Sequence, residues 1–415
     1  MKKALIYLLY ASILLGLWSA AGAFGKRTKE AAQPIYHPVV EESFPGPWTA
    51  LSFVGDRPAF LATGQSLLFL GDSGETTKHV ERTNNIRVIQ SKKGAFVGIQ
   101  ELSSPSEKPE SPRSLSFTLY DGQGSKLWTE RYSLGDDDPI PSFYLSDLGR
   151  TAMVEPLEGI VSFYERDGSL ARGFQLFPEA MAETERPVAC AFSSDGRFFA
   201  VNALHHHARP GGELSPREKG QSYLMMFDSL GQEMWRRELA QEVSDRVELS
   251  SQGQVIAAGG YSVKGFDVVE RSTPLYNNEG DLLAKLNFPF RHAAFSSDGQ
   301  LLLLGHKNSL HLVETPTGQV LWHKLLPTDA GQIRALDLSP DGNLALVELA
   351  RGSYQASRFI YTWPQVHLYD HQGQQIWQED FPQDSFLQPL AKFQEDGSSI
   401  LLAFQNRYLI YAADE

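Results

Sequence analysis

Apolar and polar positions along this chain recur in a unit longer than any single element: an apolar strand, a Ser/Asp-Gly turn and a second apolar strand. It reads Ala191-Phe192-Ser193-Ser194-Asp195-Gly196, then Phe295-Ser296-Ser297-Asp298-Gly299, then Leu338-Ser339-Pro340-Asp341-Gly342. Looser copies run Leu145 to Gly149, Leu249 to Gly253, Phe393 to Gly397 and Ser91 to Gly94, with a weak first copy at Phe53 to Asp56. Glycine is the steadiest position because a tight hairpin demands a positive φ there. A second unit follows each of these: a strand, a polar turn ending in Gly, and a strand that often carries Trp four residues after that Gly. Gly124 with Trp128, Gly231 with Trp235, Gly318 with Trp322 and Gly373 with Trp377 follow this rule. Copies without Trp run Leu70 to Gly74, Tyr164 to Gly168 and Tyr276 to Gly280.

Two hairpins per unit make a four-stranded meander, with strands a to d counted from the hub outwards. The first-turn glycines, Gly94 to Gly397, are spaced 43 to 57 residues apart, which fits one blade per period. The pattern therefore predicts an all-β chain forming a single β-propeller of eight four-stranded blades, or seven if the weak unit from Leu51 to Val80 merges with its neighbours. The last unit, Leu387 to Tyr411, holds only three strands. The segment Pro34 to Phe44 ends Glu41-Glu42-Ser43-Phe44-Pro45, much like Gln378-Glu379-Asp380-Phe381-Pro382 in the preceding unit. It is expected to supply the outer strand of the last blade and close the ring. Pro38 suits an outer strand with a free edge, and closure hides edges that invite aggregation.

The Ser-Pro-Asp-Gly turn at Ser339 to Gly342 resembles that of WD40-like repeats. The Gly-then-Trp unit resembles the repeat of quinoprotein-like (PQQ-like) propellers, in which the strand Trp docks against the neighbouring blade. The resemblance spans residues 36 to 411 and implies a propeller fold with inter-blade packing for Trp128, Trp235, Trp322 and Trp377. It carries almost nothing about activity, since the fold hosts many unrelated functions.

The N-terminus changes the picture of where the protein works. Lys2 and Lys3 precede an uncharged run from Ala4 to Phe24, and Ala21-Gly22-Ala23 gives a small-x-small cleavage pattern. Residues 1–23 read as a signal peptide, or residues 4–24 as an uncleaved anchor, since the run approaches a membrane-spanning length. Residues 24–35 read as a linker and 36–415 as the propeller. An extracytoplasmic location, periplasmic or secreted, is expected, with membrane contact only if the segment stays uncleaved. No Cys follows the run, so a lipoprotein signal is excluded. Cys190 is the only cysteine, lies in an apolar stretch and reads as a small core residue.

With 37 basic and 50 acidic residues the chain carries a net charge of −13, and −15 once Lys2 and Lys3 leave with the signal. Such a chain repels phosphate backbones, so nucleic acid is a poor partner. Irregular insertions at Glu101 to Ser114, His205 to Gln221, Gly260 to Pro274 and Ala350 to Pro364 all fall between strands b and c. They are expected to project from one face, and long loops on a repeat scaffold tend to carry function. On that face the candidate partner-binding residues are His205, His206, His207, Asp136, Asp137, Asp138, Tyr361 and Trp363. The histidine triplet offers metal chemistry only if neighbouring side chains converge. The aspartate triplet lacks the spaced oxygen ligands of a calcium loop and reads as a charged turn before Pro139.

Gly-x-Ser-x-Gly, His-Glu-x-x-His, Walker and Gly-x-Gly-x-x-Gly motifs are all absent. Quinoprotein dehydrogenases use an adjacent cysteine pair beside the quinone, and a chain with one cysteine cannot supply it; no cofactor is expected. The reading is a non-catalytic binding or scaffold propeller engaging a protein or envelope partner through the insertion-bearing face. The alternative is an enzyme or a small-molecule or metal binder with its site at the mouth of the central channel.

Overall fold

The computed structural model describes residues 36–43, 48–54, 57–63, 66–70, 76–81, 86–103, 113–135, 138–155, 159–177, 185–205, 221–240, 243–264, 267–355, 358–395 and 397–413. No helix occurs among them. Antiparallel four-stranded meanders follow one another at residues 48–81, 86–134, 142–175, 185–239, 243–286, 292–325 and 332–380. The eighth blade runs Leu390–Phe393, Ser399–Ala403 and Arg407–Ala413, and Tyr36–Ser43 adds its outer strand. The count is eight, and the ring closes as the repeat predicted. The compact body is Pro38–Ala412. The expected signal and linker, residues 1–35, lie outside the described residues.

The Ser-x-Asp-Gly turn works through its serine. Ser193 Oγ donates to Asp195 Oδ1 at 2.7 Å and accepts the Phe198 N–H at 3.1 Å. Ser296 does the same with Asp298 (2.6 Å) and Leu301 (3.0 Å), and Ser339 with Asp341 (2.6 Å) and Leu344 (2.8 Å). Where the aspartate is lost, the serine remains: Ser91, Ser146 and Ser250 accept from the N–H of Phe96, Arg150 and Val255. All six serines are buried. Their hydroxyls satisfy a backbone donor at the start of strand b that would otherwise be stranded near the hub.

Neighbouring blades dock through the second turn. A Cβ on Gly168, Gly280 or Gly373 would lie 2.6, 2.8 or 2.9 Å from the indole of Trp128, Trp235 or Trp322 in the blade before. Each tryptophan thus lies flat on a bare glycine of the next blade, as the resemblance implied. Trp235 Nε1 also donates to the Asn278 carbonyl at 2.8 Å. At other interfaces Phe69 takes the place of Trp beneath Gly124, and Phe163 beneath Gly231. Trp377 meets Tyr411 of the last blade, ring centroids 5.1 Å apart.

The closing strand is held by polar contacts as well as by its ladder. Tyr408 donates its hydroxyl to Glu42 at 2.6 Å. Arg407 bonds Asp384 at 2.6 Å and also pairs with Glu41. Trp48, on the innermost strand of the first blade, donates its indole N–H to the Phe404 carbonyl of the last. Cys190 packs with Tyr144, Phe174 and Tyr223 against an apolar cluster, and burial pushes its thiol up to about 12. Among the buried polar residues described, one is a carboxylic acid. Glu348, on strand b of blade 7, is fully buried with neither carboxyl oxygen hydrogen-bonded, and burial pushes its pKa up to about 8.

Gly280→Ala is expected to cost about 1–3 kcal/mol, from a left-handed backbone imposed on a residue with a side chain and from displacement of Trp235. Gly173→Ala meets only Ser162 Oγ, at 3.5 Å, and should leave the urea midpoint nearly unchanged. A second expectation concerns pH. The folded state holds a proton on Glu348 that the unfolded chain releases, so this stability is complete below the ordinary glutamate range and is lost as pH rises through about 8. Melting curves from pH 5 to pH 8 should therefore show Glu348→Leu gaining on the wild type as pH rises.

Candidate partner-binding face

Each blade turns a–b and c–d at one end of its strands, and b–c and d–a at the other. On the b–c side, two of the segments expected to be irregular insertions are regular. In blade 5, strands Val255–Lys264 and Asp267–Asn277 stay paired out to Lys264 with Asp267. In blade 7, Leu344–Gln355 and Arg358–Asp370 stay paired out to Gln355 with Arg358. Residues 260–264 with 267–274, and 350–355 with 358–364, are therefore β-ribbons, because cross-strand side-chain pairs continue past the blade's usual edge. Blade 6, between them, turns back at Lys307. Of the other two insertions, residues 104–112 and 206–220 lie outside the described residues.

The blade 7 ribbon is aromatic on its surface. Tyr354 stands directly across from Phe359, ring centroids 5.0 Å apart and edge-on, and Phe359 meets Tyr361 at 5.2 Å. Phe359 lies over Gly352, where a Cβ would come within 2.3 Å of its ring. Tyr354 is 79% exposed, Phe359 42% and Trp363 38%, and their grouping on one ribbon is the kind of apolar surface found at interaction sites. Trp363 sits where the ladder slips between Leu349 and Arg351, and its φ is +54°. A non-glycine residue held there by a bulge is strained and its side chain re-aimed outwards.

Beside the ribbons lies a cluster of arginines. Arg334 places its guanidinium over the Tyr361 ring at 4.5 Å, Arg351 over Trp363 at 4.4 Å and Arg271 over Tyr261 at 5.7 Å. Arg291 enters blade 6 from its d–a connection, its N–H bound to the Gly305 carbonyl at 2.7 Å. Arg246 follows a bulge at Asp245 on the innermost strand of blade 5, and Asn202 of blade 4 pins it by donating to the Arg246 carbonyl at 3.0 Å. The cluster is electrostatically connected. Burial pushes His292 down to about 4, helped by Arg291, Arg246 and Arg334. His306 is lowered by burial and then by Arg271 and Lys307. Both imidazoles are thus uncharged at neutral pH. Asp245 is the carboxylate acting on this group; burial raises its pKa in spite of Arg246 and Arg271. Glu270 is already paired with Lys285 at 2.8 Å. Among the described residues no ion pair engages Arg246, Arg271, Arg291 or Arg334.

The sequence-selected residues divide. Tyr361 and Trp363 lie in this site. Asp138 caps its own turn, accepting the Gly135 N–H at 2.6 Å. His205 ends strand b of blade 4, paired with Gln221, and its side chain is not described. His206, His207, Asp136 and Asp137 lie outside the described residues. No group of three His, Cys, Asp or Glu side chains suited to a metal ion occurs among the described residues. Sequence reasoning missed the arginines, although a signal exists: Arg246, Arg291 and Arg334 are 45 and 43 residues apart, in phase with the blade period.

Ionisable groups also converge at the opposite mouth, around a cavity of about 730 Å³ formed by the a–b turns. There they satisfy one another. Lys92 of blade 2 pairs with Glu248 of blade 5, and Lys93 with Glu395 of blade 8 at 3.0 Å. Asp337 accepts the Phe393 N–H of the next blade at 2.8 Å and lies beside buried Lys392; burial pushes its pKa up to about 6. These contacts lock blades together, while Asp147 on the same wall keeps one carboxyl oxygen without a hydrogen-bond partner.

No sequence-family profile matches the chain, and no curated protein does. Its fold is shared with solved propellers. The C-terminal WD40 domain of Sif2 is 12% identical, with 92% of this chain and 99% of that one covered at a TM-score of 0.55. Sqt1 of Saccharomyces cerevisiae is 10% identical, covering 92% and 100% at 0.55. The Dos1 propeller is 14% identical, covering 91% and 95% at 0.55. The chain is thus a WD40-like β-propeller by fold, and at this identity the likeness speaks for fold alone.

Asp337→Ala strands the Phe393 N–H and removes the nearest counter-charge of Lys392. It is expected to cost about 1–3 kcal/mol, measured as a fall in the urea midpoint at pH 7.

Proposed function

We propose that this protein is an exported, non-catalytic binding propeller that engages a protein partner through its b–c face. The observation that carries this reading is the pairing of exposed ribbon aromatics with unpaired arginines on that face. Tyrosine, tryptophan and arginine are the residues that most often anchor protein interfaces, since each combines a large contact area with a polar handle. The strained, bulged Trp363 supports it further, because strain persists where function needs a side chain aimed outwards. The opposite mouth, where charges cancel within the protein, gives less purchase to a small-molecule reading. The uncharged run from Ala4 to Phe24 behind Lys2 and Lys3 supports export to an extracytoplasmic compartment, where an envelope component is the partner expected.

The test is crosslinking in native cells with a photoreactive amino acid at Tyr354 or Phe359, and at exposed Leu230 on the c–d turn side as control. One protein should be captured from the ribbon positions and not from Leu230. Replacing the outer ribbon of blade 7 by a tight turn should abolish that capture and leave the melting temperature of the propeller nearly unchanged. Capture that survives ribbon removal would overturn the reading.

A further inference from the structure

We propose that the arginine cluster of blades 5 to 7 is a receptor for a carboxylate-rich segment of the protein partner, with the blade 7 ribbon gripping the apolar residues beside it. This rests on the b–c face being the binding face and adds the chemistry of what it binds. Three observations support it.

The first is a local charge of the wrong sign for this protein. The chain carries −13 overall, yet Arg246, Arg271, Arg291 and Arg334 gather on one side of the ring, with Asp245 as the acid acting on Arg246 and Arg271. Like charges held close repel one another, and an external anion bound among them would relieve that repulsion. The second is construction. Arg334 is itself the bulged residue of its innermost strand, between Ile333 and Ala335 in blade 7, and Arg246 directly follows the bulged Asp245 in blade 5. Bulges re-aim side chains, and the slip that blades 1, 4, 5 and 7 share on their innermost strands carries Arg334 in blade 7 and lies next to Arg246 in blade 5. The Asn202 amide holds the first from the neighbouring blade, and the Arg334 Nε donates to the Ala350 carbonyl at 3.3 Å. The third is the planar support: Tyr361 under Arg334 and Trp363 under Arg351 hold guanidinium planes in fixed poses, which suits two-pronged pairing with carboxylates.

A carboxylate segment fits better than a nucleic acid. A polynucleotide would carry its phosphates beyond this patch and over the acidic remainder of the surface, where they would be repelled. A short acidic peptide can end where the patch ends.

The experiment measures fluorescence anisotropy of a labelled peptide in which glutamate and aspartate alternate with tyrosine, against a control peptide carrying glutamine and asparagine instead. Full-length protein is compared with the variant Arg246→Gln, Arg271→Gln, Arg291→Gln, whose three side chains are exposed. A second comparison is Lys92→Gln on the opposite mouth. The acidic peptide should bind wild type and Lys92→Gln alike, weaken as salt rises from about 50 mM to about 200 mM, and bind the triple variant at least roughly tenfold more weakly. The amide control should not bind. Equal binding by the triple variant, or no binding to wild type at low salt, would overturn the proposal. So would tighter binding of a labelled single-stranded oligonucleotide, which would make phosphate the ligand. If ribbon-dependent capture of a cellular partner holds while the acidic peptide fails, the face is right and the chemistry assigned here is wrong.

Discussion

Eight twisted sheets can bury their faces only against one another, so every blade depends on the ring being closed. Closure here rests on the segment from Pro38 to Ser43, which adds the outer strand to a blade whose other strands come from the far end of the chain. Pairing alone would leave a single edge strand to hold the circle. Glu42 under Tyr408, Glu41 and Asp384 around Arg407, and Trp48 on the Phe404 carbonyl add contacts between the chain's beginning and its end. Such contacts form only after most of the chain is in place, since their sequence separation is near the maximum possible.

Closure also explains why the two mouths of the ring differ. At the a–b mouth the turns are short, and their charged side chains reach across the opening: Lys92 spans from blade 2 to blade 5. Charges that meet there cancel and brace the ring. At the b–c mouth the ribbons of blades 5 and 7 stand away from the hub, and Arg271, Arg334 and Arg351 among them lie over aromatic rings. A guanidinium over a ring keeps its charge available to a third group, whereas one in an ion pair has spent it.

The fold was legible because a repeat states it many times over. The serine at the first turn and the glycine at the second each perform a task that the sequence displays directly: Ser193 binds the Phe198 N–H, and Gly280 receives Trp235. Each of these facts is local or is repeated at one blade's distance. The candidate site was legible only where it departed from the repeat, as Tyr361 and Trp363 do. Arg246, Arg291 and Arg334 escaped notice because arginine is common on surfaces, and their meaning comes from sharing a phase of the repeat. The segments Gly260 to Pro274 and Ala350 to Pro364 looked irregular because they fall outside the repeat; in the structure Phe359 fills the space that Gly352 leaves open.

The b–c mouth draws on one physical device, the bulge, which recurs on the innermost strands of blades 1, 4, 5 and 7. A propeller blade fixes its side chains alternately toward its two neighbours, which leaves few directions open toward a partner at the mouth. A bulge releases one residue from that alternation. The ladder slips at Asp245, at Arg334 and at Trp363, and each slip lies on the b–c side of its blade. All three also fall among the arginines or beside the ribbon that covers them. A turn-rich scaffold thereby acquires a specific surface without altering the packing between its blades: Trp235 and Trp322 dock on their glycines beneath the same blades that carry the bulges above.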